Sequence, residues 1–83
     1  MNFRAHIRVM PRDGLLDPQG QAVENALTEL AFDGVSSVRV GRAIEVGVAA
    51  DSLEDAEDAT RRMCERLLAN PVTEDFLIEV DPA

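Results

Sequence analysis

Lysine, tyrosine and tryptophan are absent from this chain, and cysteine and histidine occur once each. Each absence closes a class of function. Cys64 alone cannot form an internal disulfide, and Cys64 with His6 falls short of the four ligands a structural zinc site wants. Three phenylalanines offer little for stacking on bases. Eight arginines stand against sixteen Asp and Glu, a formal net charge of −8, and no basic run concentrates them. Phosphate backbones and anionic lipid therefore repel the chain. No apolar stretch approaches the ~20 residues needed to cross a bilayer. The opening MNFRAHIRVM carries charges throughout and no continuous apolar run, so it is not expected to act as a signal peptide. The expectation is a cytoplasmic protein with neither nucleic acid nor membrane as partner.

What is present fits one domain spanning 1–83. A chain this short buries roughly 60% of the surface its unfolded form exposes. With disulfide and metal excluded, self-association is the remaining way to supplement a thin core. Phe3, Ala5, Ile7 and Val9 alternate with Asn2, Arg4, His6 and Arg8, the period of a strand buried on one face. Pro11-Arg12-Asp13-Gly14 reads as a loop. Asp17-Pro18 opens a helix, Asp17 as cap and Pro18 in the first turn. Its apolar stripe is Ala22, Val23, Ala26, Leu27, Leu30 and Ala31, with Gly34 placed to end it or the turn that follows.

Val35 to Ala50 reads as β. Val38, Val40, Ile44, Val46 and Val48 share one parity. Either a three-residue loop, Gly41-Arg42-Ala43, joins two strands, or the segment is one long bent strand. A second helix starts at Asp51 or Ser52, with acid in its first turn and Arg61, Arg62 and Arg66 in its last, as the helix dipole favours. Its predicted inner stripe is Leu53, Ala56, Ala59, Met63, Leu67 and Leu68. Asn70 suits a left-handed cap and Pro71 stops the helix. A last strand points Phe76, Ile78 and Val80 inward. The order is β-α-β-β-α-β, an α+β, ferredoxin-like pattern with two helices on one face of a small antiparallel sheet.

No constellation for catalysis is visible. Cys64 reads as a small buried hydrophobe, His6 sits on the outer face of the first strand, and the carboxylates spread along helix faces. GLLDPQG lacks the lysine of a phosphate loop. The outer sheet face mixes Met10, Ala43, Gly47 and Leu77 with charged residues, which suits docking against another copy or subunit.

Three motifs carry a resemblance. Leu16-Asp17-Pro18-Gln19-Gly20 with Ala22-Val23-Glu24-Asn25-Ala26-Leu27, Val38-Arg39-Val40-Gly41-Arg42 with Ile44-Glu45, and Met63 through Val72 appear in order. Together they resemble the PurS family, the small subunit of phosphoribosylformylglycinamidine synthase. Two departures are local: Ala43 stands where the family often has an aromatic, and the first helix ends Leu30-Ala31-Phe32-Asp33-Gly34 without the usual Leu-Gly pair. The resemblance implies a role in purine biosynthesis, where formylglycinamide ribonucleotide, glutamine and ATP give formylglycinamidine ribonucleotide, glutamate, ADP and phosphate. It implies no catalytic, cofactor-binding or metal-binding residue in this chain. Mg-ATP would be used by the large synthetase subunit, PurL, while the glutaminase subunit, PurQ, releases ammonia. A homodimer or dimer of dimers would bridge the two and support ammonia transfer. Asp17, Pro18, Gln19, Arg39, Gly41, Arg42, Asn70 and Pro71 are the expected partner contacts. The alternative is a stand-alone, small-molecule-binding ACT-like regulatory domain, which shares the element order. RNA binding on the sheet shares it too and fails on charge and missing aromatics.

Overall fold

The computed structural model describes all 83 residues. The elements are β1 (Asn2–Pro11), α1 (Pro18–Glu29), β2 (Arg42–Ala49), α2 (Leu53–Met63) and β3 (Glu74–Pro82), with a π-helical turn, Cys64–Leu68, continuing α2. β1 is the centre of an antiparallel sheet ordered β2-β1-β3. The alternation along β1 does what its period requires. Phe3, Ala5, Ile7 and Val9 are buried, and their register sets Ala5 between Val46 and Val80 and Ile7 between Ile44 and Ile78. Across this face lies α2, seating Ala56, Thr60 and Cys64 with no solvent exposure. Ser52 caps α2 by accepting from the Asp55 N–H at 3.1 Å, and Asp58 pairs with Arg62 at 3.3 Å one turn later.

Three features depart from the sequence expectation. The first concerns strand number. Residues 35–41 make no sheet, so the sheet has three strands and the order is β-α-β-α-β. Arg42 and Ala43 lie within β2, opposite Val9 and Arg8, which excludes the hairpin loop. Nor is Gly41 a turn glycine. A Cβ there would overlap the Val9 carbonyl and the Met10 sulfur, so its role is close approach of the chain to the end of β1.

The second concerns α1. Only α2 covers the sheet, and α1 stands off as an arm. Val23 is 42% exposed and Leu30 69%, so the apolar stripe has no cover in its own chain. The radius of gyration is 16.3 Å, with extents of 51 × 26 × 14 Å. A compact chain of this length has a radius of about 12 Å.

The third is the exit from α2. Ala69 donates to the Cys64 carbonyl at 3.0 Å, an i to i−5 bond that widens the last turn by one residue. The inner face shifts phase there: Cys64 and Ala69 are buried, while Leu67, expected in the core, is 82% exposed. Leu53, at the other end of the stripe, is also exposed. Asn70 takes no left-handed conformation. Its side chain instead accepts from the Val72 N–H at 2.9 Å, tightening the turn after Pro71.

Candidate functional site

Three segments converge on the C-terminal end of β1: the loop into α1, residues 38–42, and the turn from α2 into β3. The pairing begins in the backbone, where the Arg12 N–H donates to the Thr73 carbonyl at 2.9 Å. The Arg12 guanidinium then donates to the Pro71 carbonyl at 2.7 Å and to Asp75 at 3.2 Å. Arg42, at the start of β2, places its fork on Glu74 at 2.7 and 3.0 Å and also reaches the Leu68 carbonyl. Glu74 accepts the Asn70 N–H as well, at 2.7 Å. One arginine thus fixes the end of the π turn and the start of β3 together.

The other half of this end is held by Asp17. One carboxylate oxygen caps α1 by accepting from Gly20 N–H at 3.1 Å, and the other accepts from Val40 N–H at 2.9 Å. Beside it Arg39 donates to the Pro11 carbonyl and pairs with Asp13 at 3.2 Å. Gly20 permits the approach, because a Cβ there would overlap the Val38 carbonyl and the Asp17 carboxylate. Through these bonds Asp17, Arg39, Gly41, Arg42, Asn70 and Pro71 meet at one end of the sheet. Pro18 and Gln19 follow Asp17 as the first, exposed residues of α1.

Electrostatics follows the geometry. The Val40 and Gly20 amides hold the Asp17 carboxyl below its ordinary value, with Arg39 adding to the effect. The Arg42 guanidinium and the Asn70 amide hold Glu74 down, and Glu74 in return raises Arg42. Elsewhere burial pushes the Cys64 thiol up, as expected of a cysteine packed as a hydrophobe. His6 lies on the outer sheet face, opposite Glu45 on one side and Glu79 on the other. No three His, Cys, Asp or Glu side chains stand together to hold a metal ion. Asp17, Arg42 and Glu74 spend their polar atoms within the chain, so they position loops. Gln19, Leu16 and Val72 are the exposed groups those loops present.

Sequence reasoning gives Arg12 and Glu74 no part in this end, whereas Gly20 closes the Asp17-Pro18-Gln19-Gly20 turn expected there. Glu74 lies 32 positions from Arg42, and nothing local connects them. Gly20 did leave a signal, since a glycine in the first turn of a helix costs stability unless close packing requires it.

The PurS family model, described as phosphoribosylformylglycinamidine (FGAM) synthase, matches residues 4–82. The chain belongs to the PurS family. The subunit PurS of Mycobacterium leprae phosphoribosylformylglycinamidine synthase is 45% identical over 75 residues, covering 90% of this chain and 91% of that protein. The Synechocystis PurS subunit is 39% identical over 79 residues, covering 95% of this chain and 79% of its own length. Among solved structures, Thermus thermophilus PurS matches with a TM-score of 0.86 at 37% identity, covering 100% of this chain and 99% of that one. A chain in the structure of PurLQS from Thermotoga maritima matches with a TM-score of 0.88 at 32% identity, covering 98% and 99%. PurS membership displaces the ACT-like alternative, which no observation favours. No helix is long and apolar enough to cross a membrane.

Proposed function

We propose that this chain is the small, non-catalytic subunit of phosphoribosylformylglycinamidine synthase, bridging a glutaminase subunit, PurQ, and a synthetase subunit, PurL, in the cytoplasm. The observation that carries this reading is a pair of features in one 83-residue chain. Its titratable groups are spent bracing loops, and its first helix is an uncovered apolar arm. Such a chain is built to hold other chains, and its likeness to a chain of the Thermotoga maritima PurLQS structure gives the kind of assembly.

The uncovered arm also supports a reading of how copies associate. On the inner sheet face the single helix α2 leaves Ile44 and Val46 of β2, and Phe76 and Ile78 of β3, only half-buried. An α1 arm from a second copy completes that layer, so that two helices cover one sheet as the ferredoxin-like pattern requires, one of them supplied in trans. Exchange of arms yields a homodimer whose two braced ends point outward. Asp17, Arg39, Arg42 and Glu74 fix those ends. Pro18, Gln19, Asn70 and Pro71 line the surfaces they offer to the larger subunits.

In this reading the chemistry belongs to the partners. Ammonia released from glutamine must reach the substrate amide, whose oxygen is activated with Mg-ATP, and ammonia then displaces the activated group. Only neutral ammonia is a nucleophile, so the subunit contributes by holding the two active sites in register and keeping water from the transfer route. It binds no cofactor itself.

The test is complex formation. Purified PurL and PurQ of the same source are mixed with and without this chain, and mass is read by light scattering after gel filtration. A three-component complex that forms only with the chain present supports the bridge. A PurL–PurQ complex of the same yield without it would remove that role.

A further inference from the structure

An aspartate can be attacked by the amide nitrogen of the residue that follows it, closing a five-membered succinimide ring, if that nitrogen is free and the backbone can turn. Most aspartates of this chain fail one condition. Asp17 and Asp81 precede proline, which has no N–H to give up. The amides after Asp55 and Asp58 belong to α2, where the Ala56 N–H donates to the Ser52 carbonyl at 3.0 Å. Asp75 lies in the β3 ladder opposite Met10, and Asp51 precedes Ser52, whose extended backbone is set by capping α2. Asp13 and Asp33 remain. Each precedes a glycine at positive φ, 83° for Gly14 and 88° for Gly34, with open space where a Cβ would stand. Without a Cβ, the glycine offers little resistance to the turn of backbone that brings its nitrogen to the carboxyl.

The two sites are not held alike. Around Asp13 the Leu15 N–H donates to the Arg12 carbonyl at 3.3 Å and the Arg12 N–H to the Thr73 carbonyl at 2.9 Å, while the Asp13 carboxylate is tied to Arg39 at 3.2 Å. Asp33 follows the cap of α1, and no backbone N–H from Asp33 to Val38 donates to a backbone carbonyl. Its carboxylate has no ion-pair partner, and Asp33 and Gly34 are both exposed. We propose that Asp33–Gly34 is a site of self-catalysed isomerisation, at which Asp33 becomes isoaspartate in the folded protein. The Gly34 nitrogen bonds to Cγ of the protonated Asp33 carboxyl, the Cγ–OH bond breaks, and the hydroxyl leaves with the amide proton as water. Water then reopens the ring at either carbonyl. Cleavage of the bond from nitrogen to Cγ restores aspartate. Cleavage of the bond from nitrogen to the main-chain carbonyl carbon leaves the chain running through Cγ, with the α-carboxylate free. One water leaves and one returns, so the mass is unchanged and no oxidant or cofactor takes part. The product adds a methylene to the main chain where it returns from the α1 arm toward β2, and it presents the carboxylate that isoaspartyl carboxyl methyltransferases accept. This site does not depend on the family reading.

The full-length chain is aged at 37 °C and pH 6, folded or in concentrated guanidinium chloride. Isoaspartate is counted by methyl transfer from labelled S-adenosylmethionine with an isoaspartyl carboxyl methyltransferase, and placed by electron-transfer fragmentation. In the folded chain isoaspartate should accumulate at Asp33 at least about threefold faster than at Asp13. Unfolding should raise the rate at Asp13 about tenfold or more and that at Asp33 by less than about threefold. Asp33→Glu, which would need a six-membered ring, should lower methyl acceptance of the aged folded chain at least about threefold, and Asp13→Glu should leave it nearly unchanged. The inference is overturned if the folded chain gains no isoaspartate at Asp33 while the unfolded chain does, if Asp13 isomerises as fast as Asp33, or if Asp33→Glu ages like the wild type.

Discussion

Asp17 accepts hydrogen bonds from two backbone amides twenty positions apart, Gly20 at 3.1 Å and Val40 at 2.9 Å, one on each carboxylate oxygen. A helix cap is thereby also a clasp. It ties the start of the α1 arm to the segment entering β2, and so sets the direction in which the arm leaves the body. The clasp needs the ionised carboxylate, whose pKa the two amides lower from the ordinary 3.8. A lowered folded-state pKa means its stabilisation is present above the unfolded value and is lost as pH falls through the folded one. Protection of the Val40 amide, taken relative to its unprotected exchange rate at the same pH, should be high at pH 6 and fall below pH 4, and Asp17→Ala should show low protection at both. Equal protection at Val40 in the two proteins would show that the clasp holds nothing.

Gly20 gives a prediction that runs against helix propensity. In an exposed helix Gly→Ala gains about 1 kcal/mol. Here the added Cβ would overlap the Val38 carbonyl and the Asp17 carboxylate, both of which belong to the clasp. Gly20→Ala should therefore lower the melting temperature and speed exchange at Val40, with no loss of helix content in α1. A stabilised variant would mean that the segment yields more readily than its bonds to Asp17 imply.

The end of α1 is open to improvement. Phe32 donates to the Leu27 carbonyl at 3.1 Å and Ala31 to that of Thr28 at 3.0 Å, the paired bonds of a Schellman cap. Its left-handed position is taken by Ala31, at φ 67°, where glycine is the usual residue. A left-handed L-residue costs about 1–2 kcal/mol. Ala31→Gly should stabilise the chain by about 1 kcal/mol, read as a higher midpoint in urea with an unchanged slope. A lower midpoint would contradict this account of the cap.

Arg42 and Glu74 form a two-pronged pair with a further arm to the Leu68 carbonyl. Glu74 is held below its ordinary 4.5 chiefly by Arg42, so this pair also stabilises above that value and fades as pH falls through the folded one. Arg42→Ala should cost on the order of 1 kcal/mol, the upper end for a solvent-accessible pair. The gap between variant and wild type should be steady above pH 5 and close below pH 4. Arg42→Lys should recover little, since a single ammonium cannot make the fork. A gap that persists at pH 3 would place the effect in packing of the side chain.

Much of this fold can be read along the chain, and the failures have one cause. The strands β1 and β3 announce themselves by alternation, and α2 by Ser52, its acidic first turn and its terminal arginines. All of these signals are local. The stripe Val23, Leu27 and Leu30 on α1 is equally plain, but periodicity tells that a face is apolar and not which chain's sheet covers it. The same holds for Val35, Val38 and Val40, strand-like residues that find no strand beside them in one chain. Leu67 fails differently: the i to i−5 bonding of the π turn Cys64–Leu68 has no sequence signature, and it rotates the residues of that turn out of the α-helical phase. At the braced end, the Asp17 cap was legible because Gly20 is three residues away. Its second bond to Val40 and the Arg42–Glu74 pair required the fold to bring distant segments together.

The central claim is that this PurS-family chain couples ammonia release to its use without doing chemistry. It is tested most directly by ADP release from matched PurL and PurQ subunits, measured with and without the chain and driven either by glutamine or by ammonia. The account predicts that the chain restores the glutamine-driven rate and leaves the ammonia-driven rate nearly unchanged. An equal rise in both rates, or no rise in either, would contradict it.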